Sequence, residues 1–327
     1  MMKLNATQQH ILTLLAKGQC VSGHVLGQSL QMSRTAIWKH IKQLSALGVP
    51  IQSKPKQGYY LSTPIHLLSD SAINAYLAKM IDNYRLHLYS SVDSTNTFLK
   101  HLPFYAGLDI CLAEQQTSGR GRLGKQWVSP FGQNIYLSLR LNVECSLARL
   151  SALSLVVSLS ICSCLEDAQV SGLKIKWPND IIWQDKKLCG NLIELLGEAH
   201  GQTQLIIGIG LNVHMLSPEL ASNSWCTLQD ITGHLWDRNA LAARLTMTLT
   251  RHITLFLNHG FSVFQACWQQ KDYLASHVIS FQQQQHTEQG LACGVNDEGY
   301  LIVQKKNGSR LLLSAGDVHL IRKSFPT

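Results

Sequence analysis

The chain has 327 residues, 45% of them hydrophobic, with 28 lysines and arginines against 20 acidic residues. This length exceeds one typical domain and the apolar content supplies full cores, so two or three globular units are expected. The nine cysteines form no C-x-x-C pair, and no H-E-x-x-H or Cys/His cluster occurs, which argues against a disulfide framework and a structural zinc.

The net charge of +8 is unevenly placed. Lys3, Lys17, Arg34, Lys39, Lys42, Lys54 and Lys56 all precede the first acidic residue, Asp70, whereas the remaining 21 bases nearly cancel the 20 acids. Such asymmetry suggests a nucleic-acid-binding module on a nearly neutral body. The polar start, "MMKLNATQQH", leads to the expectation of no secretory leader, and scattered single cysteines to that of a reduced cytoplasmic protein.

In the basic part, Ile11, Leu12, Leu14 and Leu15 share one side of a helix within 5–17. "VSGHVLGQSL" reads as a second short helix. Ser33 reads as the N-cap of a third, "SRTAIWKHIKQLSALG", which Gly48 and Pro50 stop. Ile37, Ile41 and Leu44 form its buried stripe, and Arg34, Thr35, Trp38, Lys39 and Lys42 its opposite face. Short strands near "VPIQS" and "GYYLS" flank "KPKQG", a basic hairpin tip. These are the parts of a winged helix-turn-helix, and DNA binding is favoured over protein docking. The expected DNA-binding set is Ser33, Arg34, Thr35, Trp38, Lys39, Lys42, Lys54 and Lys56, with Arg34 and Thr35 at base edges and the wing lysines on phosphates. Trp38 either touches DNA or shields the helix from the wing.

From about Pro64 strands outnumber helices, which reads as α+β: a mixed, mostly antiparallel sheet with helices on one face. The apolar run 150–165, "LSALSLVVSLSICSCL", is short for a membrane span and crowded with serine, and reads as a buried helix. No membrane partner is expected. After the strand-like "LDICLAEQQ" comes "TSGRGRLGKQW" (117–127). Its Gly119, Gly121 and Gly124 free the backbone, and Arg120, Arg122 and Lys125 supply donors suited to phosphate or carboxylate. Apart from Leu123 little in it can pack, so a loop that stays mobile until an anion orders it is expected. Past Trp268 the chain is strand-rich, with "NDEG" and "KNG" as hairpin turns.

Five segments, in this order, resemble biotin–protein ligases: "DSTN" (93–96), "EQQTSGRGRLGKQWVSPFGQNIYLSL" (114–139), "KIKWPNDI" (174–181), "KKLCGNLIE" (186–194) and "GIGLNV" (208–213). The resemblance covers essentially the whole chain. With the basic module in front, it is to the bifunctional type that also represses biotin-synthesis genes. It implies a DNA-binding domain at 1–64, a class II synthetase-like ligase domain at 65–272 and an SH3-like barrel at 273–327. It further implies ATP-dependent formation of biotinyl-5′-adenylate and transfer of biotin to a lysine of a biotin carboxyl carrier protein. Adenylate-dependent dimerisation on operator DNA completes the family's behaviour.

The residues carried over by this resemblance are specific. Ser94, Thr95, Asn96 and Gln116 would hydrogen-bond the ureido ring, with Arg120, Gly121, Arg122 and Lys187 completing the biotin site. Lys187 and Arg122 are the implied catalytic pair. Arg120, Arg122, Lys125, Trp127, Lys176, Asn179, Asn212 and Trp225 are the implied ATP and adenylate contacts, and Asp180 the implied magnesium ligand. Lys125 stands where the family often has arginine, Cys189 where it usually has alanine, and Arg322 one residue from the family's terminal arginine. Ser94 to Asn96 also suit a helix N-cap. Two other readings use the same parts: a lipoate ligase of similar catalytic fold, and a biotin-sensing transcription factor without ligase chemistry.

Overall fold

The computed structural model describes residues 1–199, 202–215, 224–283 and 286–321, so Arg322 lies outside the described residues. Short polar side chains start the first helices. α1 (Ala6–Leu15) opens on a capping box between Asn5 and Gln8, α2 (Gly23–Leu30) on Ser22, and α3 (Arg34–Ala46) on Ser33, whose hydroxyl accepts from the N–H of Ala36. β1 (Ile51–Lys54) and β2 (Gly58–Leu61) form the expected antiparallel hairpin, with Lys56 near its tip at φ 63°. Ile11, Leu15, Leu26, Ile37 and Leu44 close a small core that also takes in Ile65 and Phe131 from further along the chain.

The body follows as α4 (Asp70–Leu77), β3 (Tyr84–Tyr89), α5 (Thr95–Lys100), β4 (Leu108–Ala113), β5 (Ile135–Val143), α6 (Leu153–Glu166), β6 (Lys174–Lys176), β7 (Asp180–Trp183), β8 (Lys186–Ala199) and β9 (Gln202–Leu211). Among the described residues seven strands make one sheet, ordered β3-β4-β5-β9-β8-β7-β6. β3 and β4 run parallel and the other pairs antiparallel, as a mixed, mostly antiparallel sheet requires. Then come α7 (Leu228–Thr232), α8 (Arg238–His259) and α9 (Gln265–Lys271). β10 (Val278–Gln283), β11 (His286–Val295), β12 (Leu301–Gln304), β13 (Arg310–Leu313) and β14 (Val318–Leu320) form a five-stranded antiparallel sheet, ordered β13-β12-β11-β10-β14.

The helices do not all lie on one face. Ile110 and Leu112 of β4 join Leu137, Leu139, Ile207 and Ile209 in the main core, together with residues of α4, α6 and α8. Cys111 and Ile206, of opposite parity, pack instead with Leu99 of α5. α5 therefore covers the reverse face, because two short stretches of alternating strand leave apolar groups there too. α6 is apolar around most of its girth and buried accordingly, with Ser158 and Ser160 donating back to the carbonyls of Ser154 and Val156. By length and composition 148–166 could cross a membrane, but 72% of that window is buried inside the molecule.

The N-terminal module is held by more than its connection. Met2 exchanges backbone hydrogen bonds with Ser91, the Lys3 ammonium lies 5.2 Å from the Tyr89 ring centre, and Phe131 packs in the module's core. At the other end, Trp177 Nε1 donates to the carbonyl of Gly299 at 3.0 Å, and Ile279, Phe281, Leu301 and Val303 share the main core.

Candidate active site

On the reverse face of the sheet, alternation turns Ser138 of β5 and Gly208 and Gly210 of β9 away from the main core. The two glycines make room. A Cβ at 208 would sit 2.3 Å from Asn96 Oδ1, and one at 210 would sit 2.3 Å from the Trp127 ring. Asn96 and Trp127 thus lie directly on the sheet and line a cleft of about 150 Å³.

The turn into α5 supplies one wall. Ser94 is the N-cap, its hydroxyl accepting from Thr97 N–H at 3.5 Å. Thr95 donates to Gln116 Oε1 from both its N–H and its hydroxyl, at 2.9 and 3.1 Å. Ser138 Oγ lies 2.7 Å from Thr95 Oγ1 and 2.6 Å from Asn96 Oδ1. Asn96 Nδ2 donates to Glu194 Oε2 at 2.9 Å. Buried polar groups must be paired, and these pair with one another.

The basic loop forms a further wall. Gly121 N–H donates to the Lys125 carbonyl at 2.6 Å and Trp127 N–H to that of Gly119 at 2.9 Å, around a single 3-10 turn at Arg122–Gly124. Leu123 contributes no packing, standing 72% exposed. Polar links hold the loop instead: Arg120 pairs with Glu194, Arg122 Nη1 donates to Asn179 Oδ1 at 3.2 Å, and Lys125 pairs with Asp317. Lys187 Nζ sits 2.6 Å from Asp180 Oδ1 and 5.2 Å from the Trp127 ring centre. Cations from segments distant in sequence therefore converge on one cleft, each against an acidic or amide oxygen. Such an arrangement suits an anionic ligand that exchanges with those internal partners.

The electrostatics agree. Burial pushes the Arg122 guanidinium and the Lys176 ammonium below their ordinary values, against the pull of Asp180 and Asp317. The hydrogen bond from Lys125 holds the Asp317 carboxyl below the usual range. Among the described residues Trp127 Nε1 is buried without a hydrogen-bond partner, which leaves a donor in the wall of the cleft.

Ser94, Thr95, Asn96, Gln116, Arg120, Gly121, Arg122, Lys125, Trp127, Asn179, Asp180 and Lys187 all line this cleft. Lys176 lines a second one, which shares Asp180 and Lys187. Asn212 and Trp225 line neither. Asn212 Nδ2 donates to the carbonyl of Cys226 at 3.1 Å, and Trp225 pairs as a bridge with Lys187, so both support the strand that carries Lys187. Asn179 Nδ2 also holds its turn by donating to the carbonyl of Asn191 at 2.7 Å. Cys189 is buried and its thiol is pushed up by burial. Sequence reasoning missed Ser138, Glu194 and Asp317. Strand alternation in "NIYLSL" places Ser138, and Glu194 closes "KKLCGNLIE", but nothing local marks Asp317, 192 residues from Lys125.

The module carries a second surface. Arg34, Thr35, Trp38, Lys39, Lys42, Lys54 and Lys56 are exposed, whereas Ile37, Ile41 and Leu44 are buried. The Ser33 hydroxyl is engaged as the cap of α3.

A family model described as Biotin/lipoate A/B protein ligase family matches residues 88–212, and an HTH domain model matches 7–60. Bifunctional ligase/repressor BirA of Escherichia coli (strain K12) is 35% identical over 307 residues, 93% of this chain and 94% of its own. That of Salmonella typhimurium (strain LT2) is 35% identical over 90% of this chain and 92% of its own. The structure of the biotin protein ligase from Aquifex aeolicus in complex with biotin and ATP aligns with a TM-score of 0.62 at 28% identity, covering 74% of this chain and 100% of that one. Helix-turn-helix in front and ligase cleft behind, matched almost end to end, the chain belongs to the bifunctional biotin–protein ligases that also act as repressors.

Proposed function

We propose that the cleft joins biotin to ATP and passes the biotin to a lysine of a carrier protein. A carboxylate oxygen of biotin attacks the α-phosphorus, the bond to the β-phosphate oxygen breaks, and pyrophosphate leaves. The amine of the carrier lysine then attacks the acyl carbon and expels AMP. The observation that carries this reading is the meeting of three distant segments in one cleft: the Ser94–Asn96 turn, the basic loop and Lys187.

In this reading Ser94, Thr95, Asn96 and Gln116 bind the ureido ring, whose buried donors and acceptors need amide and hydroxyl partners. Lys187 and Arg122 offset charge at the reacting carboxylate and phosphate. Arg120, Gly121, Lys125 and Trp127 close over the adenylate and keep water from it. Lys176 and Asn179 serve the phosphates, and Asn212 and Trp225 act from the adenylate side by supporting the Lys187 strand. Magnesium takes nucleotide oxygens plus one or two carboxylates. Asp180, beside Lys187 in the cleft, fits that need, and the ion when bound would neutralise phosphate charge.

The same proposal includes an SH3-like barrel at 273–327, a class II synthetase-like body at 65–272 and a DNA-binding domain at 1–64. Adenylate-dependent pairing of two copies on operator DNA, and a reducing cytoplasm to suit nine unpaired cysteines, belong to it as well.

Pyrophosphate release measured with biotin and with lipoate tests the reaction. Release with biotin and not lipoate is expected, and Lys187→Ala should slow it by about 100- to 1,000-fold, as loss of one preorganised contact does. Turnover of lipoate alone, release with neither substrate, or a fully active Lys187→Ala would overturn the reading.

A further inference from the structure

α3 turns one apolar side chain of large size toward solvent. Trp38 is 46% exposed, on the face that carries Arg34, Thr35 and Lys42. Lys42, one turn later, places its ammonium 4.4 Å from the centre of the Trp38 ring. Such a contact restrains the indole and keeps a cation beside it. Trp38 also borders a cleft of about 510 Å³ between α3 and the wing, whose other wall includes Lys54, Lys56 and Tyr59. The wing thus stands across a gap from Trp38 and does not cover it.

The occupant of that face must be anionic, since residues 1–69 contain seven bases and no acid. It must also present an apolar group where the indole lies. Duplex DNA meets both needs: its phosphates carry the charge, and in the major groove the one apolar group on a base edge is the C5-methyl of thymine. We infer that Trp38 reads thymine, its indole packing on the C5-methyl while Lys42 keeps the ring in place. This rests on reading the module as a sequence-specific DNA binder, and it assigns that binder a contact that hydrogen-bonding side chains do not supply.

The test uses the full-length protein with biotin and ATP present. Preferred sites are selected from randomised duplexes, then remade with deoxyuridine in place of each thymidine in turn, which removes only the methyl group. Affinities are measured by fluorescence anisotropy at constant salt. Wild type should lose about fourfold at one or more positions, the effect of burying a single methyl group. Trp38→Ala should bind more weakly and show no such loss, whereas Trp38→Leu, still apolar, should keep part of it. Selected sites whose binding is indifferent to deoxyuridine, or a Trp38→Ala variant as sensitive as wild type, would overturn the thymine contact and leave DNA binding standing. A selection that enriches no sequence would overturn both.

Discussion

Two glycines set the shape of the ligand cleft more directly than any charged group. At 208 and 210 a methyl group would meet Asn96 and the Trp127 ring at 2.3 Å, closer than real Cβ contacts come. Gly208→Ala and Gly210→Ala should therefore each cost about 1–3 kcal/mol of stability and weaken biotin binding about tenfold or more. Gly197→Ala in the adjoining strand, with no described residue within 4 Å of its Cβ, is the control. Calorimetric titration with biotin checks this, and unchanged affinity in Gly210→Ala would confine Trp127 to the adenylate side of the cleft. His214 is a second telling residue. It is buried, its Nε2 accepts from Trp236 N–H at 2.8 Å, and burial together with Arg238, His66 and His234 lowers it from 6.5 to about 4. The unfolded chain takes up that proton first, so the stabilisation is complete above pH 6.5 and is lost as the pH falls toward 4. Between pH 7 and 5 the loss should be about 2 kcal/mol by urea unfolding, and His214→Gln should flatten it.

The basic loop shows what an element can owe to partners far away. Its composition leads to the expectation of mobility until an anion binds, and in the unliganded fold Arg120, Arg122 and Lys125 link it to Glu194, Asn179 and Asp317. The link from Lys125 to Asp317 joins it to the β13–β14 turn of the C-terminal sheet and is partly exposed. Exposed ion pairs contribute about 0–1 kcal/mol, so Asp317→Asn should speed amide exchange of Gly121 and Trp127 by up to about fivefold. No change would mean that Arg120 and Arg122 suffice. Local signals such as the Ser33 cap, a cap within Ser94–Asn96, the wing hairpin and the alternating strands were legible, because each depends on neighbours along the chain. The placement of α5 on the reverse face was not, since it depends on which strands pair and in what register. α8 escaped notice although Leu241, Leu245, Leu249 and Phe256 repeat at helical spacing; its mean polarity hid the stripe. Glu194 and Asp317 escaped because an ion pair across 74 or 192 residues leaves no local trace.

At the scale of the molecule, the DNA module and the ligase share a joint. Phe131, just beyond the basic loop, is 1% exposed and packs in the core of the helix-turn-helix, and Met2 adds a backbone rung to Ser91, three residues before the Ser94 cap. Removing residues 1–64 should thus do more than abolish DNA binding. Exposing Phe131 costs about 2–3 kcal/mol and loosens both ends of the site, so the KM for biotin should rise about tenfold while kcat at saturation largely persists. An unchanged KM would mean that the joint does not reach the cleft. The joint also relocates the attachment between the two halves. The covalent connection through Ser62 and Pro64 is a surface strand of chain, while the grip lies in Met2, Gly48, Ile65 and Phe131. A protein opened there, by a protease or by expressing the halves from separate genes, should reassemble as a two-piece molecule that runs as one on a sizing column.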